Sequence, residues 1–99
     1  MYESNGFGNL TLRSFIKNTH FDDAIIKLEV QSMDGADKAV KKFYDYSDRK
    51  MIAENYGDME VLDSVIYITA YKDEPIIKAV IRVWGDPERL RQGFKKGEV

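Results

Sequence analysis

Two long apolar runs, Val61–Tyr71 and Ile76–Trp84, dominate the pattern of this chain. Both are rich in β-branched and aromatic residues, and only the polar Lys72-Asp73-Glu74-Pro75 separates them. That pattern predicts a β-hairpin, with Pro75 at the first position of the returning strand, where a missing N–H is tolerated. Period-two alternation assigns its faces. Ile66, Ile68, Ala70, Ile77, Ala79, Ile81 and Val83 form the core side, and Ile66, Ile68, Ile81 and Val83 are expected to be largely buried. Val65, Tyr67, Thr69, Tyr71, Lys78, Val80, Arg82 and Trp84 form the mixed outer side. Antiparallel pairing is expected to bring Trp84 towards Leu62–Val65 and Lys78 towards Tyr71.

Upstream, residues 1–8 read as a loose polar lead-in. Asn9 or Thr11 can cap a short helix from Leu10 to Lys17, with Leu10, Leu12, Phe15 and Ile16 as its apolar stripe. Ile26, Leu28 and Val30 alternate with Lys27, Glu29 and Gln31, the signature of a half-buried strand. Asp34-Gly35 marks a turn. Residues 36–46 are ambiguous. Ala36, Ala39, Val40, Phe43 and Tyr44 fit a helical stripe, yet the turn before them and the β-formers Val40, Phe43, Tyr44 and Tyr46 fit the second arm of a hairpin. Ser47 can cap a helix from Asp48 to Asn55, ended by Gly57 at C′. Asp86, Pro87 and Glu88 form the start signal of a last helix reaching Gln92 or Phe94, and 95–99 read as a frayed tail.

Composition narrows the class. Ninety-nine residues make one domain, and 43% apolar with 32% charged residues is globular rather than disordered. A net charge of −2 gives no bulk attraction for nucleic acid. The absence of cysteine excludes disulfides, thiolate zinc sites and cysteine nucleophiles, and fits a reducing cytosol. No apolar run approaches the ~20 residues of a membrane span, and the first residues lack the regions of a signal peptide. The expectation is a cytoplasmic protein with no membrane partner.

The words Leu10-Thr11-Leu12-Arg13-Ser14-Phe15-Ile16, Asp22-Asp23-Ala24-Ile25-Ile26-Lys27-Leu28, Lys42-Phe43-Tyr44-Asp45 and Asp58-Met59-Glu60-Val61-Leu62-Asp63-Ser64-Val65-Ile66-Tyr67 span about three-quarters of the chain. In them the chain resembles small, mostly uncharacterised proteins of bacterial phages, prophages and conjugative elements. The resemblance implies a compact α+β fold and a mobile-element setting in a host cytosol. It transfers no catalytic residue. It also favours strand over helix for residues 36–46.

Catalytic chemistry finds little support. His20 is the single histidine, and beside Asp22 and Asp23 it makes a weaker case for a metal site than for a polar helix end. The acid pairs Asp22/Asp23, Asp45/Asp48, Asp73/Glu74 and Asp86/Glu88 each have a simpler place in a turn or cap. The expectation is no enzyme, no metal and no cofactor.

Two surfaces are candidates for binding. Glu54, Asp58, Glu60 and Asp63 lie in Met51–Tyr71, a segment without Lys or Arg, and could meet a basic groove on a partner. A solvated charged face is the simpler account of them. Tyr67, Tyr71, Lys78, Arg82 and Trp84 share the outer side of the hairpin and are of the types enriched at interface hot spots. Their alternative is a secondary core under the N-terminal lead or the last helix. The sequence therefore predicts one α+β domain with a four-stranded, mainly antiparallel sheet in the order α-β-β-α-β-β-α, helices on one face. The two surfaces suggest a protein-binding module as its leading function, and the resemblance to mobile-element proteins implies, by analogy of size and setting rather than by motif, an anti-CRISPR-like inhibitor that occludes a nucleic-acid-binding host protein such as a defence nuclease. A single-stranded nucleic-acid binder is the alternative, and a homodimer is compatible with either.

Overall fold

The computed structural model describes residues 10–19, 24–44 and 47–94, without the side chain of Tyr71. The lead-in expected for 1–8, the tail expected for 95–99, and His20 with Asp22 and Asp23 lie outside the described residues. The elements run α1 (Leu12–Asn18), β1 (Ile25–Gln31), β2 (Lys38–Phe43), α2 (Asp48–Tyr56), β3 (Glu60–Tyr71), β4 (Glu74–Trp84) and α3 (Pro87–Gln92). The predicted α+β class holds. Four strands form one sheet in the order β2-β1-β4-β3, with the helices on one face. Each hairpin, β1–β2 and β3–β4, is antiparallel, while β1 and β4 lie parallel at the centre, so the sheet is mixed.

Local chemistry sets the element ends. Thr11 caps α1, its Oγ1 accepting the Ser14 N–H at 3.2 Å. The Leu12 and Arg13 N–H groups donate to the carbonyls of Met59 and Gly57. The helix starts later than the expected Leu10 because the preceding backbone is used elsewhere. Thr11 bridges Glu60, and the Val61 N–H donates to the Leu10 carbonyl at 2.8 Å. Residues 38–43 are a strand, reached through a turn in which Asp34 accepts from Ser32 Oγ and the Ala36 N–H. Asp86 caps α3 by accepting the Glu88 N–H at 3.0 Å, with Pro87 in the first turn as expected.

Two capping expectations fail. Ser47 makes no side-chain bond to the start of α2, and Gly57 keeps a right-handed φ of −66° instead of the left-handed C′ conformation. The Asn55 carbonyl near that end is taken by the Arg89 guanidinium, and the Tyr56 carbonyl by the Met59 N–H. With those acceptors satisfied, the left-handed cap is not required.

The hairpin turn is shorter than predicted. Only Lys72 and Asp73 lie between the strands, with φ of 51° and 68°. Two consecutive positive φ values are the mark of a type I′ turn, whose twist suits a two-residue hairpin. Pro75 is thus the second strand residue, opposite Ala70. The two-residue turn sets Lys78 opposite Tyr67, and a bulge at Leu62, between Val61 and Asp63, shifts the register beyond it so that Trp84 faces Glu60, neither being the partner expected.

The core lies between helices and sheet. Leu12, Ile52, Tyr56 and Leu90 meet Ile26, Leu28, Val30, Phe43, Val61, Ala79, Ile81 and Val83, all buried. Phe94 closes its edge, stacked on Phe43 at 5.3 Å. One core expectation is corrected. Ile81 and Val83 are fully buried, but Ile66 and Ile68, which do share their face, are 52% and 68% exposed. β1 begins at Ile25 opposite Lys78, so Ile68, opposite Ile77, lies past the neighbouring strand, while Ile66, level with Ala79 and Ile26, is exposed by its place on the outer strand β3.

Candidate binding surfaces

The register places the predicted outer-face residues together. Reading across from β3 to β4, Glu60 lies opposite Trp84, Asp63 opposite Arg82, Val65 opposite Val80 and Tyr67 opposite Lys78. β1 adds Gln31 beside Trp84, Glu29 beside Arg82, Lys27 beside Val80 and Ile25 beside Lys78. β2 extends the face with Lys42 opposite Lys27 and Val40 opposite Glu29. Among the described residues no helix covers this face, since the buried side chains all point the other way. The last helix, one candidate cover, packs against β2 and β1 through buried Leu90 and Pro87 on the core side. Tyr71 belongs to the same strand face by backbone position.

Two ion pairs order this face. Arg82 meets Asp63 at 2.9 Å and Lys38 meets Glu29 at 3.0 Å. Lys27 and Lys42 stand directly opposite one another, a like-charge pair that costs stability. Lys27, Lys42 and Lys78 have no ion-pair partner among the described residues. The open face therefore combines Tyr67, Trp84, Val65 and Val80 with a basic surplus.

The predicted acidic group is split. Glu60 and Asp63 sit on the open face, next to Trp84 and Arg82. Glu54 and Asp58 lie at the end of α2, on the helix side. There Asp58 receives a two-pronged contact from Arg89, at 2.9 and 3.1 Å, and the guanidinium holds its carboxyl below the usual carboxylate range. Asp58 and Asp63 thus each have an arginine partner, and the structure does not gather the four acids into one surface.

Arg89 also borders the cavity at this corner, lined with Glu54, Asn55, Tyr56, Gln92 and Gly93. Its volume of about 160 Å³ is well under that of ordinary small-molecule pockets. Burial pushes the Tyr56 hydroxyl up from its ordinary pKa. Among the described residues no group of three or more His, Cys, Asp or Glu could hold a metal ion, and no helix is long and apolar enough to cross a membrane.

Sequence reasoning missed two contributions to the surface. Lys27 was legible, because the alternation in β1 puts it opposite Ile26 and Leu28. Lys42 was hidden by the helix–strand ambiguity of its segment. The second is the far half of the hairpin's core side, where Ile66, Ile68 and Ile77 are exposed large apolar residues. Nothing in the residues themselves signals where helical cover stops. No family model, curated protein or solved structure matches this chain.

Proposed function

We propose that this chain is a protein-binding module that acts by occlusion rather than catalysis, and that its open sheet face is the docking surface. The observation that supports this reading is a face uncovered among the described residues, with Tyr67 beside Val65, Val80 and Lys78, Lys27 and Lys42 further across the sheet, and Trp84 at the other end beside Arg82, Gln31 and Glu60. Aromatic and arginine side chains on a rigid sheet make efficient anchors, because few rotamers are lost on binding. The like-charge pair Lys27–Lys42 disfavours the isolated fold, and an acidic partner surface relieves that cost. The resemblance to mobile-element proteins supplies the narrower form of the proposal, an inhibitor of a host defence nuclease.

The same lysines beside Tyr67 favour a second reading, a single-stranded nucleic-acid binder in which bases stack on the aromatic rings. One experiment separates the two. Tagged wild type, Tyr67→Ala and Lys78→Glu chains are used to capture partners from a bacterial host extract, with and without nuclease. A protein held by wild type after nuclease treatment and lost by both variants supports the first reading. Recovery of nucleic acid, with steep salt dependence, supports the second. Identical capture by wild type and both variants refutes the open face as the site.

A further inference from the structure

Among the described residues β3 is an edge strand, since β4 is its only neighbour in the sheet. Its outer edge is engaged at its start, where Thr11 bridges Glu60 and the Val61 N–H meets Leu10. Among the described residues nothing pairs with that edge beyond the bulge at Leu62. The run that follows, Ser64-Val65-Ile66-Tyr67-Ile68-Thr69-Ala70, has no charge, no proline and no bulge. Those are the devices by which proteins ordinarily blunt an open edge. Both faces of the run are also apolar and exposed, with Val65 at 58% and Tyr67 at 40% on one, Ile66 and Ile68 on the other beside Ile77.

We infer that this edge pairs with the same edge of a second copy of the chain, antiparallel, across a two-fold axis normal to the sheet. Such an axis sets each residue opposite one from the same face, so Ile66 and Ile68 meet their own counterparts and Val65 and Tyr67 meet theirs. A second copy offers a strand of the same length, limited at one end by the Leu62 bulge and at the other by the Lys72-Asp73 turn. It brings no charge to the uncharged run, whereas a charged peptide would leave its charges against Ile66, Ile68 or Val65. The pairing satisfies the outward backbone N–H and C=O groups and covers apolar side chains on both faces at once. It joins two sheets into one of eight strands, with both helix layers on the same side and both open faces continuous. The surface used is the strand edge, which shares Val65 and Tyr67 with the proposed docking face but not Lys27, Lys42, Lys78 or Trp84.

The test is sedimentation equilibrium of the full chain over a wide concentration range, beside a Val65→Lys, Ile68→Lys double variant and a Val40→Lys control on the opposite edge strand. The mass should rise from one chain to two for wild type and for Val40→Lys, and stay at one chain for the double variant. Circular dichroism at low concentration should be the same for all three, because the substituted residues are exposed. If the double variant is misfolded, amide hydrogen exchange of wild type decides, and the amides of 64–70 should gain protection as concentration rises. A wild type that stays monomeric, a double variant that still dimerises, or protection independent of concentration overturns the inference. So does a dimer that forms only after residues 1–8 are removed, since the chain's own N-terminal residues then hold the edge. Loss of the dimer leaves the capture experiment interpretable, because Lys78→Glu alters the open face on β4, outside the 64–70 run of β3.

Discussion

Ile81 and Ile68 lie on the same face of adjacent strands, yet truncating them to alanine should have very different effects. Each substitution removes three carbon groups, worth about 0.8 kcal/mol apiece when fully buried. Ile81 is completely buried between Leu28 on β1 and Ser64 on β3. Its loss forfeits the whole transfer term, about 2.4 kcal/mol, and leaves a cavity under the helices, so Ile81→Ala should cost about 2–5 kcal/mol. Ile68 is 68% exposed, which leaves about a third of that transfer term and no enclosed cavity. Ile68→Ala should therefore cost about 0.8 kcal/mol in the monomer. Urea denaturation of both variants measures this, at a chain concentration low enough for monomers and with unchanged slopes. Equal losses for the two variants would refute the picture of a hairpin that outruns its cover. A large loss for Ile68 that grows with chain concentration points to cover from a second copy.

Three further outcomes are expected. Asp73→Gly should stabilise the fold by about 1 kcal/mol in thermal or urea unfolding, because its φ of 68° is strained for a side chain and free for glycine. Gly57→Ala should cost about 1–3 kcal/mol, since a Cβ there meets the Ala53 carbonyl oxygen and comes within 2.9 Å of Arg13 Cβ, pressing α1 away from α2. Asp58 should titrate below the usual aspartate value of about 3.9 in an NMR pH series, and return towards it in Arg89→Ala. Its folded value lies below the unfolded one, so the pair's contribution is complete above about pH 4 and fades as pH falls through the folded value. Arg89→Ala should flatten that acid-side loss, and an unchanged Asp58 titration would remove Arg89 as its cause.

The faces of the hairpin could be read from sequence because period two is intrinsic to a strand, and the Leu62 bulge left the phase of Ile66 and Ile68 on the side of Ile81 and Val83 intact. The start of α3 was legible because Asp86, Pro87 and Glu88 act within one turn. Residues 36–46 resisted for a geometric reason. Ala39 and Phe43 are four apart, and that spacing returns to the same face in both a helix and a strand, so only pairing with β1 decides between them. Two features were not legible at all. The parallel contact of β1 with β4 joins segments whose own sequences carry no mark of it. The exposure of Ile66 and Ile68 depends on how far helices distant in sequence extend over the sheet. At the surface, the clustering of Tyr67, Lys78, Arg82 and Trp84 followed from alternation, while the partners of Asp58 and Asp63 required the tertiary structure.

The parallel seam also sets a timetable for the chain. Each hairpin brings together neighbours in sequence and can close in about 1–10 μs. The seam joins Ile25 to Lys78, about fifty positions later, and must close a long loop before any of its bonds form. On the ribosome, β1 is made roughly 3–10 s before β4 exists to pair with it. During that interval the inner face of the first hairpin, with Ile26, Leu28, Val30 and Phe43, has neither sheet neighbour nor α3 to shelter it. The interval before β4 arrives is thus when this chain is most exposed to chaperones and to misassembly.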